Sequence, residues 1–366
     1  MNIRYIGLID RYRDRLPVRE DTRIICLGEG NTPLIRLQNI PRHLEGESLG
    51  AKTLHERIEI YVKYEGLNPT GSFKDRGMTM AVTQAVAEGS RAIICASTGN
   101  TSASASAYAA RAGITAFVLI PEGKIALGKL AQAMMHGAVV LQIRGNFDAG
   151  MQLVKEVAET APVTIVNSIN PYRIQGQKTA AFEIIDALGR PPDYHCLPVG
   201  NAGNISAYWL GYTEYYRDGI VGARPVMCGY QATDAAPFLR GHPVENPETV
   251  ATAIRIGNPQ SWESAANAQL ESGGWFDEFT DREILVAQRL LAEKEGIFCE
   301  PASAISLAGA MRDIKSGKIP GDSRIVCTLT GHGLKDPDTA IAQSTSPTVI
   351  DAELESVRGA ILENLE

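Results

Sequence analysis

The stretch RAIICASTGNTSASASAYAARAGITAFVLI, residues Arg91 to Ile120, decides the fold. Arg91 to Ala96 is a short apolar run that reads as a strand. Thr101 to Arg111 is a helix of small residues, stopped by Gly113. Thr115 to Ile120 is apolar again. Strand, helix and strand in so short a span make a right-handed crossover between parallel neighbours.

The same rhythm extends in both directions. Upstream, Ile58 to Val62 reads as a strand. Met78, Ala81, Val82, Ala85 and Val86 recur at helical spacing, and Gly89 ends that helix. Downstream come a helix near Leu127 to His136, a strand at Ala138 to Ile143, a helix at Phe147 to Thr160 and a strand at Val163 to Val166. After Tyr172 the pattern resumes with a helix near Gln177 to Leu188 and a strand at Tyr194 to Pro198. The last strand is Ser323 to Leu329. The pattern predicts an α/β protein with two doubly wound open parallel sheets, and ligands at the carboxyl ends of their strands. Arg42 to Glu56 reads as a polar surface loop, Arg240 to Ser261 as a Pro-rich connection or flap, and the tail after Ser344 as peripheral or helical.

Composition narrows the classes. The 366 residues are 44% hydrophobic and 21% charged, as in ordinary globular chains of two domains. A formal charge of -7 gives a nucleic-acid partner no electrostatic help. No two of the six cysteines are spaced as a metal-ligand pair, so free thiols in a reducing compartment, and no metal, are expected. No apolar run is long enough to span a bilayer, and Met1 to Arg15 lacks a signal core, so a cytoplasmic location without membrane contact is expected.

Four segments carry chemistry. In Asn68-Pro69-Thr70-Gly71-Ser72-Phe73-Lys74-Asp75-Arg76-Gly77, a turn leads into a helix that Ser72 can cap. Lys74 falls in the first turn, where the positive dipole and partial burial lower the pKa of an amine and favour a neutral nucleophile able to form an imine with an aldehyde. The bland alternative is a solvated lysine. In Ala96 to Ser102, hydroxyls and the amide of Asn100 crowd a strand-to-helix turn. Asn100 can meet a phenolate oxygen, and its neighbours can hold a carboxylate. Gly200-Asn201-Ala202-Gly203-Asn204 joins a strand to a helix and can cup a phosphate, without the signature of a nucleotide loop. Thr330 stands at a strand end before Gly331-His332-Gly333, where its hydroxyl can face a pyridine nitrogen. His332, in a glycine turn, is read as structural.

Together with Gly28-Glu29-Gly30-Asn31-Thr32-Pro33-Leu34 and Glu300-Pro301-Ala302-Ser303-Ala304, these segments occur in an order that resembles the tryptophan-synthase-like, fold type II group of pyridoxal-phosphate enzymes. Within that group they resemble the threonine synthases, from about Arg4 to Ala340. The resemblance implies pyridoxal 5'-phosphate in a cleft between a larger domain, about 1–80 and 180–366, and a smaller mobile domain, about 81–179. It implies Lys74 as the imine lysine and Asn100 on the ring hydroxyl. Gly200, Asn201, Ala202, Gly203 and Asn204 would hold the cofactor phosphate, and Thr330 the ring nitrogen. Thr98 and Thr101 look like contacts to the substrate carboxylate. Asn167-Ser168-Ile169-Asn170-Pro171-Tyr172-Arg173 matches the family's pattern for the phosphate of the substrate, O-phospho-L-homoserine, with Arg173 as a forked donor and Asn167 and Ser168 adding hydrogen bonds. Family membership also implies a homodimer. No long extension precedes Met1, so the adenosylmethionine activation of some plant members is not expected. A threonine or serine dehydratase of the same fold lacks the second phosphate anchor. A non-catalytic amino-acid-binding relative is at odds with retention of Lys74, Asn100 and Thr330.

Overall fold

The computed structural model describes residues 5–45, 57–122, 127–144, 147–168 and 170–365. Among the described residues there are ten strands: β1 Leu34–Arg36, β2 Glu59–Tyr64, β3 Ala92–Ala96, β4 Thr115–Pro121, β5 Val139–Ile143, β6 Val163–Ile165, β7 Tyr194–Pro198, β8 Val226–Ala232, β9 Trp275–Phe279 and β10 Arg324–Leu329. They form two sheets. The smaller has the order β5-β4-β3-β6 and is parallel throughout. The larger has the order β1-β2-β10-β7-β8-β9. It is parallel except at one edge, where β1 runs antiparallel to β2.

The two open parallel sheets are those expected from the sequence, and the larger carries one additional antiparallel strand at its edge. A three-residue strand has too little periodicity to register in sequence. Strands β8 and β9 also went unread. The first carries Gly229 and Gln231 inside its run, and the second is a half-buried edge strand with Asp277 and Glu278 in its middle. Arg42–Glu45, expected to be loop, belongs to helix Asn39–Glu45. The rest of that expected loop, 46–56, lies outside the described residues. The helix expected from Gln177 begins at Pro171, because Asn170 caps it by accepting the backbone N–H of Tyr172 and proline suits the first turn.

The larger sheet is covered on both faces. Cys196 and Cys327 point to one side, into a core with Ile60, Ile305 and Leu291. Their neighbours Leu197 and Val326 point to the other, against Phe182, Ile205 and Tyr208. This two-residue alternation with apolar residues on both sides explains why these strands read as continuous hydrophobic runs. In the smaller sheet Ile93 and Cys95 face Met78, Val82 and Tyr108, while Ile94 and Ala96 face Leu119 and Val154. Residues Pro337–Glu366 form a separate compact unit with helices Pro337–Gln343 and Leu354–Glu363.

Helix Lys74–Ala87 lies against helix Pro171–Leu188 at backbone distance. A Cβ at Gly176 would stand 1.8 Å from the carbonyl oxygen of Arg76, and one at Gly77 would stand 2.9 Å from that of Arg173. Glycine at both positions is therefore a condition of this packing. Between these helices and β2 sits a buried charge cluster. The Arg76 guanidinium donates to Glu65 at 2.6 and 2.8 Å and to Glu183 at 2.8 and 2.7 Å. Lys63 Nζ donates to Glu183 at 2.7 Å and to the carbonyl of Thr32 at 2.6 Å. The Thr32 hydroxyl and the backbone N–H of Asn31 complete the two carboxylates. Two cations thus meet two anions, and burial, which alone would raise the pKa of Glu65 and Glu183, is overridden by Arg76 and Lys63, leaving both carboxyls below their usual range.

Removing one member strands the others. Arg76→Leu should destabilise the protein by about 3–5 kcal/mol, since two carboxylates lose their main partner in a dry interior. Urea unfolding would measure it, and a loss under about 1 kcal/mol would contradict the account.

Candidate active site

Lys74 opens helix Lys74–Ala87. The loop before it is held from two sides. Phe73 N donates to Thr330 O at 2.9 Å and His332 N to Gly71 O at 2.9 Å, so Gly71–Phe73 pairs with the segment after β10. Gly71 adopts φ 85°, which favours glycine. On the other side Asp75 accepts the Thr70 N–H at 2.7 Å, the Thr70 hydroxyl at 2.6 Å and the Ser104 hydroxyl at 2.6 Å. Ser104 belongs to helix Asn100–Ala112, so Asp75 ties the lysine loop to the smaller sheet's layer. Ser72 is a weaker cap than expected. Its hydroxyl stands 3.4 Å from Lys74 N, and the residue in the cap position is Phe73, in helical conformation.

Lys74 is partly accessible, and its Nζ lies 4.3 Å from the centre of the Phe73 ring. Desolvation first, and the Arg173 guanidinium second, lower its pKa to about 7, against the opposing pull of Glu300. A large fraction of the amine is therefore neutral near pH 7.

Asn100 begins the helix after β3, and its Nδ2 donates to the Glu300 carboxylate at 3.0 and 3.3 Å. Thr98 and Thr101 lie half-buried in the same turn. Thr330 ends the run from β10; its hydroxyl lies 2.9 Å from Ser303 Oγ and donates to Glu300 at 3.3 Å. Lys74, Asn100 and Thr330 are thus joined through Glu300 and the loop pairing. Glu300 had no role in the sequence reading, where it was one member of a quoted string before Pro301. Asp75 and Ser303 were likewise unassigned, since their partners are distant in the chain.

The segment 200–204 follows β7, next to β10 in the sheet. A Cβ at Gly200 would stand 3.0 Å from Ile254 Cα. Ser261 N donates to the Asn201 carbonyl at 3.1 Å, so the stretch expected to be a connection or flap walls this turn. Ala202 takes a left-handed φ of 63°, strain of order 1 kcal/mol kept at the entry to helix Gly203–Arg217. The Asn204 side chain is buried with Nδ2 unpartnered. A helix start with an orphaned donor is suited to an anion.

Arg173 stands in the first turn of helix Pro171–Leu188, after β6, and is buried. Its Nη1 donates to Val166 O at 3.3 Å, while Nε and Nη2 have no partner. Desolvation lowers its pKa to about 10. Asn167 also holds the turn itself: its amide accepts from Ala96 N and donates to Ala96 O, both at 3.1 Å, stitching the end of β3 to this turn. Ser168 is half-buried beside it. His332 accepts from Leu334 N at 3.1 Å and stacks near Tyr64.

A depressed lysine, an amide, a strand-end hydroxyl and a small-residue turn with an orphaned donor at a helix start fit pyridoxal phosphate, and the unpartnered nitrogens of Arg173 offer a second anion position. The class is accordingly that of a pyridoxal-phosphate enzyme. Residues 25–331 match the family model described as "Pyridoxal-phosphate dependent enzyme", and the chain belongs to that family. Its relatives are more particular. It is 55% identical over 360 residues to the threonine synthase of Halalkalibacterium halodurans, covering 97% of this chain and 98% of that one. It is 58% identical to that of Mycobacterium leprae, covering 94% of each, and 51% identical to that of Methanocaldococcus jannaschii, covering 96% of this chain and 87% of that one. Solved structures share the fold at low identity. Maize serine racemase matches with a TM-score of 0.71 at 18% identity, covering 99% and 98% of the two chains. The processed form of threonine deaminase isoform 2 from Solanum lycopersicum matches at 0.69 and 19%, covering 87% of this chain and 89% of that one. Among the described residues no helix is long and apolar enough to cross a membrane.

The shifted lysine gives a measurable titration. In cofactor-free protein, acylation of Lys74 should be half-maximal near pH 7, where its pKa lies, because only the neutral amine reacts. Solvated lysines should need a pH near about 10. Arg173→Leu should move the Lys74 midpoint upward by removing a nearby cation. Peptide mass spectrometry after pulse labelling reads both; a Lys74 midpoint like that of surface lysines would contradict the site.

Proposed function

We propose that this protein converts O-phospho-L-homoserine and water into L-threonine and inorganic phosphate, with Lys74 as the acid–base group and Arg173 as the anchor of the substrate phosphate. The observation that carries this reading is the buried Arg173 with two unpartnered donor nitrogens beside a lysine whose charge it disfavours. The high identity to threonine synthases across bacteria and an archaeal species supports the same conclusion.

Gly200–Asn204 would hold the cofactor phosphate through backbone N–H groups, the helix start and the Asn204 amide. Asn100 would face the ring oxygen and Thr330 the ring nitrogen. The bound cofactor supplies an electron sink that stabilises negative charge at the substrate's α-carbon. Lys74, with its pKa lowered to about 7, takes the α-proton and later returns a proton. Arg173 pairs its fork with the γ-phosphate and holds it as it leaves. Thr98 and Thr101 receive the carboxylate, and Ser168 supports the phosphate from the turn that Asn167 stabilises. Residues about 81–179 act as a smaller mobile domain whose closure controls when water enters. Two copies pair, and the enzyme works in the cytoplasm.

Product analysis tests the assignment. Phosphate and threonine should form from phosphohomoserine in equal amounts, with little ammonia released from threonine. Arg173→Leu should raise KM for phosphohomoserine by at least about tenfold, since a charge-assisted contact contributes about 1.5–3 kcal/mol. Ammonia release from threonine exceeding phosphate release from phosphohomoserine would make the protein a dehydratase.

A further inference from the structure

Glu300 occupies the residue before helix Pro301–Lys315, where a carboxylate ordinarily caps the helix it precedes, yet its side chain makes no cap hydrogen bond. It turns the other way. Its oxygens accept from Asn100 Nδ2 at 3.0 and 3.3 Å and from the Thr330 hydroxyl at 3.3 Å. The backbone is shaped around it: Glu300 N donates to Gly331 O at 3.0 Å, and a Cβ at Gly331 would lie 2.5 Å from the carboxyl carbon. The carboxyl is buried, and the charged groups that bear on it are the ammonium ions of Lys335 and Lys74. Lys335 is itself held by Thr70 O at 3.1 Å and Gln132 Oε1 at 2.6 Å, and feels Asp75. The neighbouring Cys299 thiol is buried and neutral, and Arg173 acts on the cluster through Lys74.

We propose that Glu300 is a positioning residue that orients the protons Asn100 and Thr330 present to the two polar edges of the cofactor ring. The inference rests on the reading that those two side chains meet the ring oxygen and the ring nitrogen. An unrestrained amide can present either its oxygen or its nitrogen to a ligand, and a ring oxygen needs the nitrogen. Spending one Nδ2–H on Glu300 fixes the amide with its other N–H free to donate. Thr330 has one hydroxyl proton. While Glu300 is ionised, that proton is drawn to the carboxylate and the ring nitrogen meets lone pairs. Once Glu300 is protonated, it donates to Thr330 Oγ, and the Thr330 proton turns to the ring nitrogen. Ser303, 2.9 Å from Thr330 Oγ, keeps the hydroxyl in place through either orientation. Burial raises the pKa of Glu300 against the opposing pull of Asn100, Lys335, Thr330 and Lys74, which brings the protonated, donating state closer to neutral pH.

Glutamine mimics the protonated acid, since it can accept from Asn100 and donate to Thr330. Alanine offers neither. Cofactor affinity, measured by equilibrium dialysis of apoprotein against pyridoxal phosphate, separates the two. Glu300→Gln should bind within about threefold of wild type, and Glu300→Ala should bind at least about tenfold more weakly, as expected for losing a buried hydrogen-bonded partner. Where Glu300→Ala does not fold, Glu300→Asp, whose shorter carboxylate cannot span both partners, should weaken binding in the same direction. Wild-type affinity in Glu300→Ala or Glu300→Asp, or equal weakening by glutamine and alanine, would overturn the proposal. A Lys74→Ala control isolates the underlying reading. If the visible absorption band of bound cofactor survives Lys74→Ala, the site assignment itself fails. If the band is lost there while the Glu300 variants bind like wild type, only the role of Glu300 fails.

Discussion

The pairing of Arg76 with Glu65 and Glu183 is the constraint on which the site depends. Arg76 is two residues after Lys74 on the same helix. Successive helical residues turn by about 100°, so side chains two apart point to nearly opposite sides. Once the guanidinium is locked into the interior by four short contacts, the lysine has to face away from that cluster, where Arg173 and Glu300 act on it. Rotating the helix would tear a buried cation from two anions, a rearrangement costing several kcal/mol. The same cluster explains the segment Gly28–Leu34. Its Asn31 and Thr32 satisfy carboxylate oxygens that the cations leave over, which fixes the path of a loop with little secondary structure of its own.

The two sheets contribute unequally. The larger supplies Thr330 after β10, the cup after β7 and, through Gly71–Phe73, the strand-like brace on the lysine loop. The smaller supplies Asn100 after β3 and Arg173 after β6. One hydrogen bond from Ser104 to Asp75 and the two from Asn100 to Glu300 connect these halves near the reactive amine. The basicity of Lys74 is therefore set by groups from both: the guanidinium comes from one layer and the carboxylate from the other. A change in the separation of the layers alters that balance as well as the shape of the cleft.

Much of this was legible in sequence where the signal was local. Strands β3, β4 and β7 were found with nearly correct bounds because both faces are covered and their residues are apolar in sequence. The helix after β3 was found because Gly113 terminates it with a left-handed φ of 78°. Lys74, Asn100 and Thr330 were singled out from turns of marked composition, and the fold brings them together around Glu300. What escaped was set by long-range contact. β8 and β9 carry polar residues whose tolerance depends on neighbouring strands. The partnership of Arg76 with Glu183 spans most of the smaller sheet's sequence, and nothing in the string Glu300-Pro301 discloses that the carboxylate turns away from its own helix. Asn167 was read for a ligand contact, and the fold also commits its amide to both backbone groups of Ala96, a structural duty that no local signal announces.

That commitment bears on how Arg173 works. A buried guanidinium with two empty donors is costly, because its charge has lost water and gained one carbonyl. The structure keeps it there by fixing the turn before its helix: Asn167 bridges to β3, and Asn170 donates to Ile165 O at 2.8 Å while capping Tyr172. The unfavourable burial is then offset only when an anion arrives, and a phosphate that matches the fork recovers the most. In the reading given above, the preference for a phosphorylated substrate comes from this stored penalty as much as from the contacts themselves. Filling the site also weakens the field that disfavours a proton on Lys74, so binding of the substrate's phosphate raises the basicity of the amine that must act next.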